Sequence, residues 1–134
     1  MARSYRELLV WQKAKALAVR LYRETECFPK SETYGLSSQL RRASVSVASN
    51  IAEGQGRLTR GEFAHFLGMA RGSLLEADTQ IAISLDLGYL SGQAFESLDR
   101  EVYQVLGLLN RLIESLRNEQ GSTKLEANFE TLKL

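Results

Sequence analysis

Residues 39–57 read QLRRASVSVASNIAEGQGR, and they admit two readings that lead to different folds. From Ser44 to Ser49 small polar and apolar residues alternate, as in a half-buried strand. Over a longer span, Leu36, Leu40, Ala43, Val47, Asn50 or Ile51, and Gly54 recur at spacings of four and three, too long a run for a typical strand. The helical period governs. Ser37 is then the expected N-cap and Gly54 the expected C-terminal residue. The alternation is a by-product of small residues (Ala43, Ser44, Ser46, Ala48, Ser49, Ala52) covering most of the circumference. Such a slim helix lets neighbours approach on more than one side, so it is expected to be the most enclosed element.

Outward from that stretch the same period recurs. Between Tyr5 and Thr25, Val10, Ala14, Leu17 and Leu21 form a stripe that Trp11, Ala18 and Tyr22 widen, and Pro29 enforces the end. Thr59 with Glu62 three residues later is a capping box, after which Phe63, Leu67, Ala70, Leu74, Ala77, Ile81 and Leu85 recur until Gly88. Gly68 and Gly72 inside this helix cost about 1 kcal/mol each against Ala, so a neighbour is expected on their face, with the Ser/Ala surface of the second helix as the candidate. A fourth helix, capped by Ser91, places Phe95, Leu98, Val102, Val105, Leu109, Leu112 and Leu116 on one stripe, and Tyr103, Leu106 and Ile113 on a second row. The reading is an all-α, antiparallel up-and-down four-helix bundle over residues 1–118, followed by a polar tail at 119–134 in which Leu125, Phe129 and Leu132 could form a short docking helix. The fourth helix carries more apolar surface than a lone bundle needs, which predicts a homo-oligomer.

Composition narrows the function. A chain of 134 residues, 44% hydrophobic and 25% charged, is ordinary for a globular domain. One cysteine excludes an internal disulfide or a thiol metal site, no run reaches the roughly 18 apolar residues of a membrane span, and a cytoplasmic, membrane-free location is expected. Net charge is +1, unevenly spread: residues 1–61 hold 11 Lys/Arg and 5 Asp/Glu (+6), and residues 62–134 hold 6 and 11 (−5). Such halves suit an anionic partner, head-to-tail self-association, or mutual neutralisation of adjacent helices.

Signatures of catalysis are missing. His65 lacks a second histidine or a carboxylate at ligand spacing and reads as structural, Cys27 as a packed thiol, and no Glu-x-x-His pairs point to a bundle metal centre. The expectation is no enzyme, no metal and no cofactor. GQGRLTRGE, residues 54–62, lacks both nucleotide-binding fingerprints but sets Arg57 and Arg60 beside a helix N-terminus, either as a phosphate cradle with Thr59 or as a plain turn with solvated arginines. Polar residues also interrupt the apolar pattern: Arg41, Arg42, Asn50 and Glu53 on the second helix, Glu76 and Gln80 on the third. Glu53 near a helix C-terminus calls for a cationic partner, within the chain or across subunits; a ligand role is the alternative.

At these residues a resemblance appears. QLRRASVSVASNIAEGQGR, then FAHFLGMARGSLLEADTQ and the LGYL turn, are similar to the four-helix-bundle proteins encoded in intervening sequences of bacterial 23S rRNA genes. The likeness covers roughly residues 5–116 and rests on the joint QLRRA, NIAEG and GSLLE elements. It implies a homopentameric bundle associated with RNA, and a fold shared with the accessory variability proteins of diversity-generating retroelements, whose basic pentamer works with a reverse transcriptase. Arg41, Arg42, Asn50, Glu53, Gly54, Gly72, Ser73 and Glu76 match the motif and are expected to serve packing and assembly. Arg3, Arg6, Lys13, Arg20, Arg23, Arg57 and Arg60 are the expected contacts to structured RNA, through phosphates alone, since no exposed aromatic repeat points to base stacking. The alternative is a structural interaction scaffold, an accessory partner of a reverse transcriptase included, whose charge asymmetry joins subunits.

Overall fold

The structure is a computed structural model, described here for residues 4–118; Arg3 and the tail at 119–134, with its expected docking helix, lie outside the described residues. It is all-α, a four-helix bundle of α1 (Leu9–Thr25), α2 (Leu36–Gln55), α3 (Arg60–Asp86) and α4 (Gly92–Arg117), with 3₁₀ turns at Tyr5–Glu7 and Lys30–Glu32. No strand occurs among the described residues. The opening of the first helix is thus tighter than its periodicity implies: Ser4 accepts from the Arg6 amide, and α-geometry starts only at Leu9.

The helical reading of the serine-and-alanine stretch holds. Leu40, Ala43, Val47, Ile51 and Gly54 are buried, and α2 touches both α1 and α3. Eight of its 20 residues are buried, a larger share than in α1 (six of 17), α3 (eight of 27) or α4 (nine of 26). Its ends differ from expectation. Ser37 is inside the helix and buried; Gly35 occupies the N-cap position, and Glu32 Oε1 supplies the missing acceptor by taking the Leu36 amide at 3.0 Å. Gly54 does not end the helix but packs against α3, where an added Cβ would lie 2.8 Å from Phe66 Cβ and 3.0 Å from Phe63 Cδ1.

In α3 the Thr59 hydroxyl accepts from the Glu62 amide at 3.1 Å, and Ser91 does the same for Ala94 at 3.0 Å in α4. Gly88 closes α3 at φ 79°, with the Tyr89 amide on Ser84 O and the Gly88 amide on Leu85 O, the two bonds of a Schellman motif. Among the described residues the expected neighbour of Gly68 and Gly72 is absent: both are exposed, with nothing within 4 Å of an added Cβ. The side of α3 facing α2 instead carries Phe63, Phe66, Ser73 and Gln80, and the glycines point outward. Tyr103 is likewise exposed, whereas Ile113 of the same row is buried.

Pairings fix the registers. Gln39 meets Gln80, Ser46 meets Ser73 and Gly54 meets Phe63 across α2 and α3; Arg71 meets Asn110 across α3 and α4; Arg20 meets Ser97 and Glu101 across α1 and α4; Thr25 meets Arg41 across α1 and α2.

Candidate functional site

Chemistry-bearing side chains gather at the α2–α3 seam. Asn50 Nδ2 donates to Ser46 O at 2.9 Å and to Ser46 Oγ at 3.0 Å, and Ser46 Oγ lies 2.9 Å from Ser73 Oγ, so three small polar groups satisfy one another where long side chains would hold the helices apart. Two turns on, Gln80 Nε2 reaches Glu76 Oε1 at 3.3 Å and Gln39 Oε1 at 3.4 Å, while buried Gln80 Oε1 has no partner among the described residues. Arg41 is an interhelix latch: Nε donates to Thr25 Oγ1 at 2.9 Å, Nη2 to Tyr22 O at 3.3 Å, and its guanidinium lies 4.7 Å from the Tyr22 ring centre. It closes the end of α1 from the side. Arg42 and Glu53 are exposed, and neither bonds to another described residue, so the cation expected for Glu53 is not supplied within the described chain. Gly72 packs against nothing among the described residues.

The expected phosphate contacts do not converge. Arg20 is spent on Glu101, Ser97 and Glu24. Arg60 turns back to donate from Nη2 to Asn118 O at 3.0 Å, with its buried Nε unpartnered among the described residues. Arg57 lies 4.4 Å over the Phe66 ring, and Thr59 is committed to its cap. The glycine loop is therefore a helix–helix turn whose polar groups largely serve the chain itself. Arg6, half-buried Lys13 and exposed Arg23 form no ion pair with described residues.

An element the sequence reading missed lies between α1 and α2: an open groove of about 570 Å³ with a floor of Ala18, Ala48, Ser49 and Ala52 and walls that include Trp11, Tyr22 and Val45. Its aromatics carry cations: Lys15 Nζ sits 5.3 Å from the Trp11 ring, Arg6 is 5.9 Å from Tyr5, and Arg41 faces Tyr22. Of these aromatics Tyr22 is exposed, while Tyr5 and Trp11 are half-buried. The signal was a second set of spacings on α1, Trp11, Lys15, Ala18 and Tyr22, which the first stripe absorbed as width.

Two groups titrate away from their ordinary range. Desolvation, and then the Asp99 carboxylate on α4, raise Asp78 above the 3.8 of a free aspartate. The hydrogen bond that Tyr89 donates to Glu32 raises the tyrosine. His65 is exposed and edge-on to Phe66 at 5.9 Å. Cys27 is exposed, not packed, because it follows the last turn of α1 while Phe28 takes the buried place. Among the described residues no cluster of three His, Cys, Asp or Glu side chains is placed to hold a metal ion, and no helix is long and apolar enough to cross a membrane.

No curated protein matches the chain. A crystal structure of a protein of unknown function from the S23 ribosomal protein family of Bacteroides thetaiotaomicron VPI-5482 has the same fold, with a TM-score of 0.72 at 22% identity over 78% of this chain and 95% of that one. The sequence pattern of the 23S rRNA-intervening sequence proteins matches residues 6–111, across the QLRRA, NIAEG and GSLLE elements that build the α2–α3 seam. The chain belongs to the 23S rRNA-intervening sequence protein family.

Proposed function

We propose that this protein is a non-enzymatic, antiparallel up-and-down bundle that assembles as a homo-oligomer, a pentamer being the expected number, and contacts structured RNA through the cations of its N-terminal half. The opposed registers support the up-and-down topology: 39 with 80, 46 with 73 and 54 with 63 count in opposite directions. One observation carries the RNA reading: Arg6, Lys13, Arg23 and Arg57 enter no ion pair among the described residues, leaving positive charge available to phosphates. A binding isotherm with a structured RNA across a salt series tests it. Affinity is expected to fall log-linearly with salt, and Arg57→Ala with Arg60→Ala to shallow the slope by about one unit per lost phosphate contact. An unchanged isotherm in that double variant removes the loop from the interface, and a salt-independent isotherm overturns the reading.

The second reading, a structural scaffold that includes an accessory role beside a reverse transcriptase, is favoured by a different observation. Arg20, Arg41 and Arg60, three of the cations in the basic half, serve contacts within the bundle. On that reading RNA does not co-purify beyond the level of an unrelated neutral protein.

A further inference from the structure

We infer that the outward face of α3 of one copy seats in the α1–α2 groove of a second copy; this rests on the self-association proposed above and names its two surfaces. Glu62, His65, Met69, Gly72, Glu76, Thr79, Ile83 and Asp86 are all exposed and follow one another at three and four residues, a complete seam on the side of α3 away from the core. Beside it lie exposed Gly68, Leu75 and Ala82, and Met69, Leu75 and Ile83 are 45%, 38% and 45% accessible. A helix that sets Met69, Leu75, Ala82 and Ile83 among acids on its outward face, besides its buried inward stripe, has apolar surface to bury on both sides. The two outward glycines lower helix propensity and meet nothing within 4 Å of an added Cβ among the described residues, which leaves this face flat for a neighbour.

The groove is the matching socket. Trp11, Lys15, Ala18 and Tyr22 on α1, and Val45, Ala48 and Ala52 on α2, are two further seams at spacings of three and four that converge on one channel. Its small-residue floor admits a helix closely, and flat backbone at Gly68 and Gly72 gives the aromatic walls a surface to lie on. Charge agrees with shape. Lys15 and Arg23 line the groove against the single acid Glu26, while the α3 seam carries Glu62, Glu76 and Asp86 without a Lys or Arg; Arg71, off the seam, is held by Asn110 Oδ1 at 2.8 Å. Because α3 points its other face into its own core, this seam reaches a groove only in another molecule. The contact is head-to-tail and leaves each protomer one groove and one seam to extend a ring.

The test is the mass of the full chain by light scattering, with helical circular dichroism recorded for each variant. Gly72→Arg and Val45→Glu alter exposed positions with room around them, so the fold is expected to persist while the self-association constant drops by at least about tenfold. Lys15→Glu with Arg23→Glu, and separately Glu76→Lys with Asp86→Lys, are each expected to lower the mass, and the four combined in one chain to restore it. A wild-type chain that stays at 15.0 kDa at every concentration overturns both this interface and the self-association it rests on. An oligomer indifferent to Gly72→Arg and Val45→Glu overturns the interface alone. Loss of mass in both reversed pairs without recovery in the combination shows that the two surfaces face other occupants, such as an acidic helix of another protein or a nucleic acid in the groove, and overturns the pairing.

Discussion

Two glycines of the α2–α3 pair have opposite surroundings. Gly54 is buried where a Cβ would press on Phe66 and Phe63, and Gly72 stands in open space on an exposed helix face. Gly54→Ala is therefore expected to cost about 1–3 kcal/mol through overpacking, and Gly72→Ala to gain about 0.5–1 kcal/mol through helix propensity, as read from urea midpoints in dilute solution. Sequence reasoning assigns both glycines to helix packing, and only one is packed, because periodicity names a face without naming its neighbour. Asp78 supplies a pH-dependent case. Burial and Asp99 raise its folded pKa above 3.8, so the folded state binds the proton more tightly than the unfolded chain, and stability falls as pH climbs through and above that value. Asp78→Asn is expected to raise the melting temperature at pH 7 and to lose that advantage below pH 3.8. The group is largely solvated, so screening holds the gain to at most about 0.5 kcal/mol, near 2 °C.

The elements were the most legible part of the chain. Each main stripe is buried as its spacing predicts, because burying one apolar face is what fixes a helix in a bundle, except at the ends, where Leu36, Leu85 and Phe95 are only half-buried. Ends were less legible. Thr59 and Ser91 cap with their own hydroxyls and were readable; α2 borrows its cap from Glu32 in the 3₁₀ turn before it, a partner that no local pattern singles out. The C-terminus of α3 was readable because only glycine adopts φ 79° without strain. Gly88→Ala is accordingly expected to cost about 1–2 kcal/mol, and its effect is expected to concentrate in the last turn of α3 and the Tyr89–Glu32 contact that follows it. Amide exchange that quickens at Leu87 to Tyr89 but not at Leu74 is the pattern that checks it.

For the whole molecule, salt separates forces that the sequence left entangled. The +6 and −5 halves were equally compatible with RNA binding, self-assembly and internal neutralisation. The structure spends Arg20 internally and leaves Arg6, Lys13, Arg23 and Arg57 without ion pairs among the described residues, yet it also exposes a mostly apolar groove and an acidic α3 seam flanked by Met69, Leu75 and Ile83. That second pair of surfaces was illegible because a residue pointing outward from one bundle looks, in one dimension, like width on an inward stripe. Salt acts differently on the two kinds of contact. Four phosphate contacts at a slope of about −0.7 each lose roughly a thousandfold in affinity over a tenfold rise in salt. Rim charges at a protein contact are worth about 0.2–1 kcal/mol apiece, and the apolar area beneath them does not weaken as the Debye length shrinks from about 10 Å to 3 Å. Washing the protein from about 0.1 M to 1 M NaCl is therefore expected to strip bound RNA, lowering the 260/280 nm absorbance ratio, while the scattering mass per assembly loses only the RNA. If subunits and RNA leave together, charge and not apolar contact joins the copies, and the groove has another use.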